Sequence, residues 1–220
     1  MRYFPIFLDL RQKICVVVGG GRVAERKVLN LLKAGALVTV ISPQMTASLR
    51  RLEEKGKIKH RSRPFRSGDL KSAYLVIAAT DNRQTNERIF RIASSLRIPV
   101  NVVDDPSHCS FIVPSIISQG DILLAISTGG QSPALAKALR EKLQKEIGPE
   151  YISLLKILGA VRKKILPLGW GPNKNQKIFR FLLKEDLLSM IRQRKFSALE
   201  ARVGKIIGSK FPLKDLGLKL

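Results

Sequence analysis

The stretch "ICVVVGGGRVAERKVLNLLKAGALVTVIS", from Ile14 to Ser42, limits the possible folds more than any other part of the chain. Ile14 to Val18 is an unbroken apolar run rich in β-branched residues, the pattern of a strand buried on both faces. A glycine turn follows at once. Val23, Val28, Leu31 and Leu32 then recur at helical spacing until "KAG" ends the helix at Gly35. "LVTVIS" resumes as a second strand. A buried strand, a glycine turn, a helix and another buried strand form a βαβ unit, which requires a parallel sheet covered by helices.

The turn Gly19-Gly20-Gly21 has its own chemistry. Gly19, Gly21 and Ala24 fit G-x-G-x-x-A. In this pattern the first glycine permits the tight turn and the second lets backbone approach a pyrophosphate. The small third residue brings helix and strand together, and the helix N-terminus supplies positive potential. The reading is a dinucleotide site; the competing one is a glycine turn kept for packing alone. The second strand ends in Ser42 and Pro43, without the acidic residue that usually holds a ribose diol and without an arginine for a 2′-phosphate. NAD is expected over NADP, with Ser42 either bonding the ribose or capping its strand.

The alternation continues along the chain. "IKHRSRPF" reads as a short edge strand containing His60, taken as exposed. "AYLVIAAT" (Ala73 to Thr80) reads as a buried strand, "QTNERIFRIASSL" as a helix and "PVNVVD" as a further strand. Ligands of such sheets gather beyond the carboxyl ends of the strands. Thr80 and Asp81 therefore fall near the cofactor, unless Asp81 merely caps the next helix. By the same rule Asp104 faces the crevice. Its carboxylate is placed to accept the proton that leaves with a hydride, or else it caps the turn Asp105-Pro106-Ser107. Asn101, polar within the strand, has reason to contact a ligand or a neighbouring backbone group and is taken as a substrate-binding candidate. His108 is a candidate proton shuttle or transient metal-handling group. No Cys/His pairs stand at the spacing of a closed zinc site.

After Ser115 the pattern changes. "DILLAIST" (Asp121 to Thr128) reads as a strand leading to "GGQSP", followed by the helix "PALAKALREKLQKEI". From about Glu150 the chain reads as helical and basic, with a loop at Leu166 to Lys174. The expected fold class is α/β: a Rossmann-like doubly wound parallel sheet, then a strand-helix region, then a helical domain. The expected boundaries are 1–112, 113–148 and 149–220.

Net charge is +23, from 40 Lys and Arg against 17 Asp and Glu. Such an excess suits a polyanionic partner, with nucleic acid, a membrane surface and a polycarboxylate as the candidates, or a generally basic proteome. Apolar runs are shorter than a membrane span, and no signal peptide is visible. Cys15, within a strand, reads as a small buried hydrophobe, and two cysteines make no disulfide framework. A cytoplasmic location is expected.

Taken together, "PIFLDLRQKICVVVGGGRVAERKVLNLLKAGALVTVISP", "AATDN", "NVVDDPSHCSFIVPS" and "ISTGGQSPALAKALREKL" resemble, in order, the precorrin-2 dehydrogenase/sirohydrochlorin ferrochelatase module of siroheme synthase. The resemblance runs from about Tyr3 to Gly148. It implies NAD-dependent oxidation of precorrin-2 to sirohydrochlorin, followed in many members by insertion of ferrous iron. It assigns Gly19, Gly21, Arg22 and Val23 to the NAD loop and Asp104 to the catalytic aspartate. Ser127, Thr128, Gly129 and Gly130 fall in the motif taken here as substrate-binding. It also implies a homodimer built through "SFIVPSI" and the following helix. The substrate carries eight carboxylates, which accounts for part of the basic charge. Neither a membrane nor a nucleic acid is expected as partner. Two alternatives remain at this point: a nucleotide-sensing module with a nucleic-acid-binding tail, and an oxidoreductase for another polyanion.

Overall fold

Strand β1 (Ile14–Val18) lies at the centre of a five-stranded sheet of order β3-β2-β1-β4-β5. Its neighbours are β2 (Leu37–Ile41) and β4 (Leu75–Ala78), with β3 (Ile58–Arg61) and β5 (Val100–Val102) at the edges, and every pairing is parallel. The structure is a computed structural model that describes residues 3–216. Strand order reverses at β1, so the turn after it opens into the crevice between the ends of β2 and β4.

The sheet is buried on both faces because β1 carries large apolar residues at both parities. Cys15 and Val17 pack with Ala24, Val28 and Leu31 of α1 (Arg22–Lys33) and with Leu49 of α2 (Ala47–Glu54). Val16 and Val18 pack on the other side with Ile89 and Ala93 of α3 (Arg83–Ser95). This is the doubly wound arrangement expected from the alternation. Cys15 is fully buried, and burial pushes its thiol up to about 11, as suits a packing residue.

The chain divides into two compact units, Met1–Val113 and Pro114–Leu220. In the second, β6 (Ser115–Gln119) and β7 (Ile122–Ile126) form an antiparallel hairpin with α4 (Pro133–Glu146) against it. Helices α5 (Glu150–Ile165), α6 (Gly171–Lys184), α7 (Leu187–Arg192) and α8 (Phe196–Ile207) close around Ile157, Val161, Leu182, Leu199 and Val203. Gly120 in the hairpin turn abuts Ile152 of α5. The strand-helix region and the helical domain therefore share one unit.

Two sequence expectations change. The loop at Leu166 to Lys174 is mostly structured: a 3-10 turn at Leu166–Leu168 ends at left-handed Gly169, and α6 begins at Gly171 with Pro172 in its first turn. His60 is not exposed. Its imidazole side chain is 9% accessible, with Nε2 2.9 Å from the Ser42 carbonyl oxygen and Nδ1 3.4 Å from Glu53. The strand placed it at an edge, but its side chain turns inward to tie β3 to the end of β2.

Beyond β3, Asp69 is buried beneath two arginines. Its carboxylate accepts from Arg61 Nη1 at 2.5 Å, from Arg63 Nη2 at 2.6 Å and from the Arg66 backbone at 2.8 Å. These bonds, Arg63's foremost, hold its carboxyl well below the usual carboxylate range. A carboxyl whose folded value is depressed stabilises the fold above its ordinary titration range and loses that contribution as pH falls toward the folded value. Asp69→Asn should therefore cost about 2 kcal/mol at neutral pH, discounted for the solvent exposure of both guanidiniums. In urea denaturation the gap to the parent should narrow as the medium is acidified below the ordinary carboxylate range.

Candidate active site

The glycine turn resolves into positions with different duties. Gly19 has φ +120, and a Cβ there would lie 2.2 Å from the Ala79 carbonyl oxygen. At Gly20 a Cβ would lie 1.9 Å from the Gln44 carbonyl oxygen and 2.9 Å from Ser42 Oγ. Both are wedged against neighbouring backbone, so packing alone explains them. Gly21 is different. It has an ordinary φ of −79, caps α1, and has nothing within 4 Å of a would-be Cβ. No packing demand forbids a side chain there, and the open space lies over the start of α1, where the first backbone N–H groups lack helical partners. A pyrophosphate fits this cradle, with Arg22 exposed beside it and Val23 next along the turn.

Behind the turn, Ser42 is buried; its N–H donates to the Arg61 carbonyl and its carbonyl accepts from His60. Its hydroxyl lies beside the glycine turn, 2.9 Å from where a Cβ on Gly20 would stand. Pro43 is exposed at the mouth. Glu25 braces α1 by accepting from Thr46 Oγ1 at 2.6 Å.

A cavity of about 380 Å³ opens at the carboxyl ends of β4 and β5, lined by Asp81, Arg83, Asn86, Val102, Val103, Asp104 and Asp105. Asp81 does not cap α3. Asn82 does, accepting from the Thr85 N–H at 2.8 Å, which leaves Asp81 exposed in the cavity. Thr80 is locked to buried Asn86: its Oγ1 donates to Asn86 Oδ1 at 2.7 Å, and Asn86 Nδ2 donates back to the Thr80 carbonyl at 2.8 Å. Asn86 was not picked out from sequence. A polar residue on the inward face of a helix, six residues past Thr80, was the available signal.

Asp104 lies just past β5 with φ +59, in the left-handed region. It is not the cap of the following turn; Asp105 is, accepting from the Ser107 N–H. The Asp104 carboxylate is exposed and makes no hydrogen bond or ion pair with the described residues. Its loop is fastened from behind by Cys109. The Cys109 sulfur accepts from the Val102 N–H at 3.2 Å and lies 3.2 Å from the Asp105 carbonyl oxygen. Burial pushes this thiol up, which keeps it in the hydrogen-donating form.

Asn101 belongs to the same fastening. It is buried, and its Nδ2 donates to the Phe111 carbonyl at 3.0 Å and to Cys109 Sγ at 3.4 Å. This corrects its assignment to substrate contact: a buried amide beside a sheet edge satisfies backbone. His108 is held by Asp105, with Nδ1 2.7 Å from Oδ2, and its ring meets Phe90 edge-on at 4.8 Å between centroids. The bonds from Ser107 and then His108 lower the Asp105 carboxyl to about 2.

In the second unit Ser127 Oγ accepts from the Gly129 N–H, and Thr128 Oγ1 accepts from the Ser132 N–H. Gly129 and Gly130 are left-handed with open space around them, and Ser132 caps α4. The motif is thus a preorganised loop at a helix N-terminus.

Comparison with known proteins adds independent findings. Residues 6–115 match the NAD(P)-binding family model NAD_binding_7, and residues 119–146 match the sirohaem biosynthesis protein central model. The siroheme synthase of Nitrosospira multiformis is 41% identical over 205 residues, covering 91% of this chain and 43% of that protein. That of Actinobacillus succinogenes is 46% identical over 165 residues, covering 75% and 35%. That of Thioalkalivibrio sulfidiphilus is 36% identical over 217 residues, covering 99% and 44%. The chain spans less than half the length of these relatives. Among solved structures, one titled "SirC, precorrin-2 dehydrogenase" superposes with a TM-score of 0.74 at 25% identity, covering 92% of this chain and all of the other.

The different duties of the glycines give a test. Gly21→Asp should fold with near-native stability but lose dinucleotide binding, because its carboxylate would occupy the phosphate cradle. Gly20→Ala should instead lower thermal stability by several degrees, because the clash is with backbone. Unchanged NAD affinity in Gly21→Asp, measured by calorimetry, would overturn the cradle.

Proposed function

The chain belongs to the NAD(P)-binding family represented in siroheme synthases, and we propose that it oxidises precorrin-2 to sirohydrochlorin with NAD, in the cytoplasm. The observation that carries this reading is the unpaired carboxylate of Asp104 in a cavity at the strand ends, in a sheet whose switch-point turn leaves open space at the start of α1.

The cradle offers the N–H groups at the start of α1 and the open face of Gly21 to the pyrophosphate, with Arg22 adding charge. Bound there, NAD supplies a hydride acceptor. Oxidation removes one hydride and one proton from the macrocycle, and Asp104 takes the proton on a carboxylate oxygen. Its left-handed backbone carries the carboxyl clear of the loop, and Cys109 and Asn101 hold the loop to β5 so that the group stays in place. His108, fixed at Nδ1 by Asp105, presents its other ring nitrogen for onward transfer of that proton to solvent. The loop of Ser127, Thr128, Gly129 and Gly130 leaves open space at its two glycines for a substrate carboxylate.

Ferrous iron is a second substrate in this reading. The carboxylate that accepts a proton during oxidation also accepts the pyrrole N–H protons displaced when a metal enters sirohydrochlorin. The working form is a homodimer: the hairpin of β6 and β7 leaves Ile116 and Leu123 over two-fifths exposed, and an isolated two-stranded sheet is marginal in water. Sedimentation equilibrium should return twice the chain mass.

Anaerobic turnover of precorrin-2 with NAD, followed by NADH absorbance and the sirohydrochlorin spectrum, tests the activity directly. Asp104→Ala should lower kcat by at least about a hundredfold while NAD affinity stays within twofold. Turnover within a few-fold of the parent would remove Asp104 as the base.

A further inference from the structure

The cavity at the ends of β4 and β5 has one cation among the described residues that line it, Arg83, set against the carboxylates of Asp81, Asp104 and Asp105. Asp105 is engaged by Ser107 and His108. Asp81, Arg83 and Asp104 are exposed, and none of the three makes a hydrogen bond or ion pair with the described residues. The other two arginines of α3 are occupied elsewhere: Arg88 donates to Ser67 Oγ at 2.7 Å and Arg91 to Glu87 Oε1 at 2.6 Å. Arg83 also stands at the less favourable end of its helix. It is the first residue of α3, directly after the Asn82 cap, and no acidic side chain accompanies it in the first turn. A helix N-terminus carries the positive end of the backbone dipole, where a cation is disfavoured and an anion is stabilised. Arg83 therefore opposes the dipole and pairs with neither of the free carboxylates in its own cavity. An anion entering there would meet the guanidinium and the helix terminus together.

We infer that Arg83 is a specificity-determining residue that binds a carboxylate at the edge of the substrate macrocycle and so sets that edge against Asp104. The inference rests on the precorrin-2 reading and deepens it. Eight carboxylates surround that ring, so any edge presented to Asp104 brings one of them into the cavity. There Asp81 and Asp104 repel it, and Arg83 supplies the opposing charge. A guanidinium is planar and can bond a carboxylate through two parallel N–H donors, so it fixes the orientation of its partner as well as offsetting charge.

The test uses the full chain with sirohydrochlorin as the equilibrium probe, read anaerobically by its fluorescence, beside NAD calorimetry and precorrin-2 kinetics. Arg83 is exposed and unpaired, so Arg83→Gln should leave the melting temperature unchanged. It should weaken sirohydrochlorin binding and raise KM for precorrin-2 by about tenfold, as loss of one charge-assisted contact implies. NAD affinity should stay within twofold. Arg83→Lys keeps the charge without the paired donors and should recover only part of the loss. Arg88→Gln removes the same charge from the same helix outside the cavity lining, and should leave sirohydrochlorin affinity within twofold. Unchanged sirohydrochlorin affinity in Arg83→Gln overturns the assignment. An equal loss in Arg88→Gln overturns it too, because the effect is then one of overall charge, and a loss confined to NAD gives Arg83 to the cofactor instead. A parent protein that binds NAD but neither binds sirohydrochlorin nor oxidises precorrin-2 overturns the functional reading itself, and that result is distinct from failure of the variant alone.

Discussion

The closeness of backbone at Gly19 and Gly20 is the constraint on which the rest of this molecule depends. Strand β1 must deliver its chain between the ends of β2 and β4, and the carbonyl groups of Gln44 and Ala79 stand where any side chain would be. That tight crossing brings the N-terminus of α1 to the switch point and lets Ala24 and Val28 seat on Cys15 and Val17. Cofactor cradle and core thus share one steric origin.

Much of the fold was legible in the sequence because it obeys simple periodicities. Ile14 to Val18 has no polar residue, and such a strand has no stable place except inside a parallel sheet. The Gly turn and the Asp104 position followed from strand ends, which the alternation marked well. Side-chain direction was not legible. His60 and Asn101 were placed on the right strands, but the first was read as exposed and the second as contacting either a ligand or a neighbouring backbone group, whereas both satisfy backbone groups of neighbouring segments. A strand's register says which face a residue occupies; it does not say which unpaired carbonyl waits beside it. Asn86 escaped notice for the same reason, since its partner Thr80 lies across a turn.

The loop from Val103 to Phe111 shows how an edge strand is finished when no further strand pairs with it. Ser110 Oγ and Cys109 Sγ accept from the Val100 and Val102 N–H groups in place of ladder partners, and the Asn101 amide of β5 donates to the Phe111 carbonyl. Edge strands with free N–H groups invite pairing with other chains, and here side chains occupy them. The hairpin of the second unit leaves its outward apolar residues Ile116 and Leu123 exposed.

The left-handed backbone at residue 104 has a consequence of a different kind. Glycine adopts φ near +59 freely, whereas a residue with a Cβ pays about 1 kcal/mol for it, even one as tolerant as aspartate. The fold left to itself would therefore be better served by glycine at this point. An aspartate standing there marks a place where thermodynamic robustness and chemical competence pull in opposite directions. A search for hardier forms of this chain would drift toward glycine at 104 and arrive at a more stable protein without the proposed base.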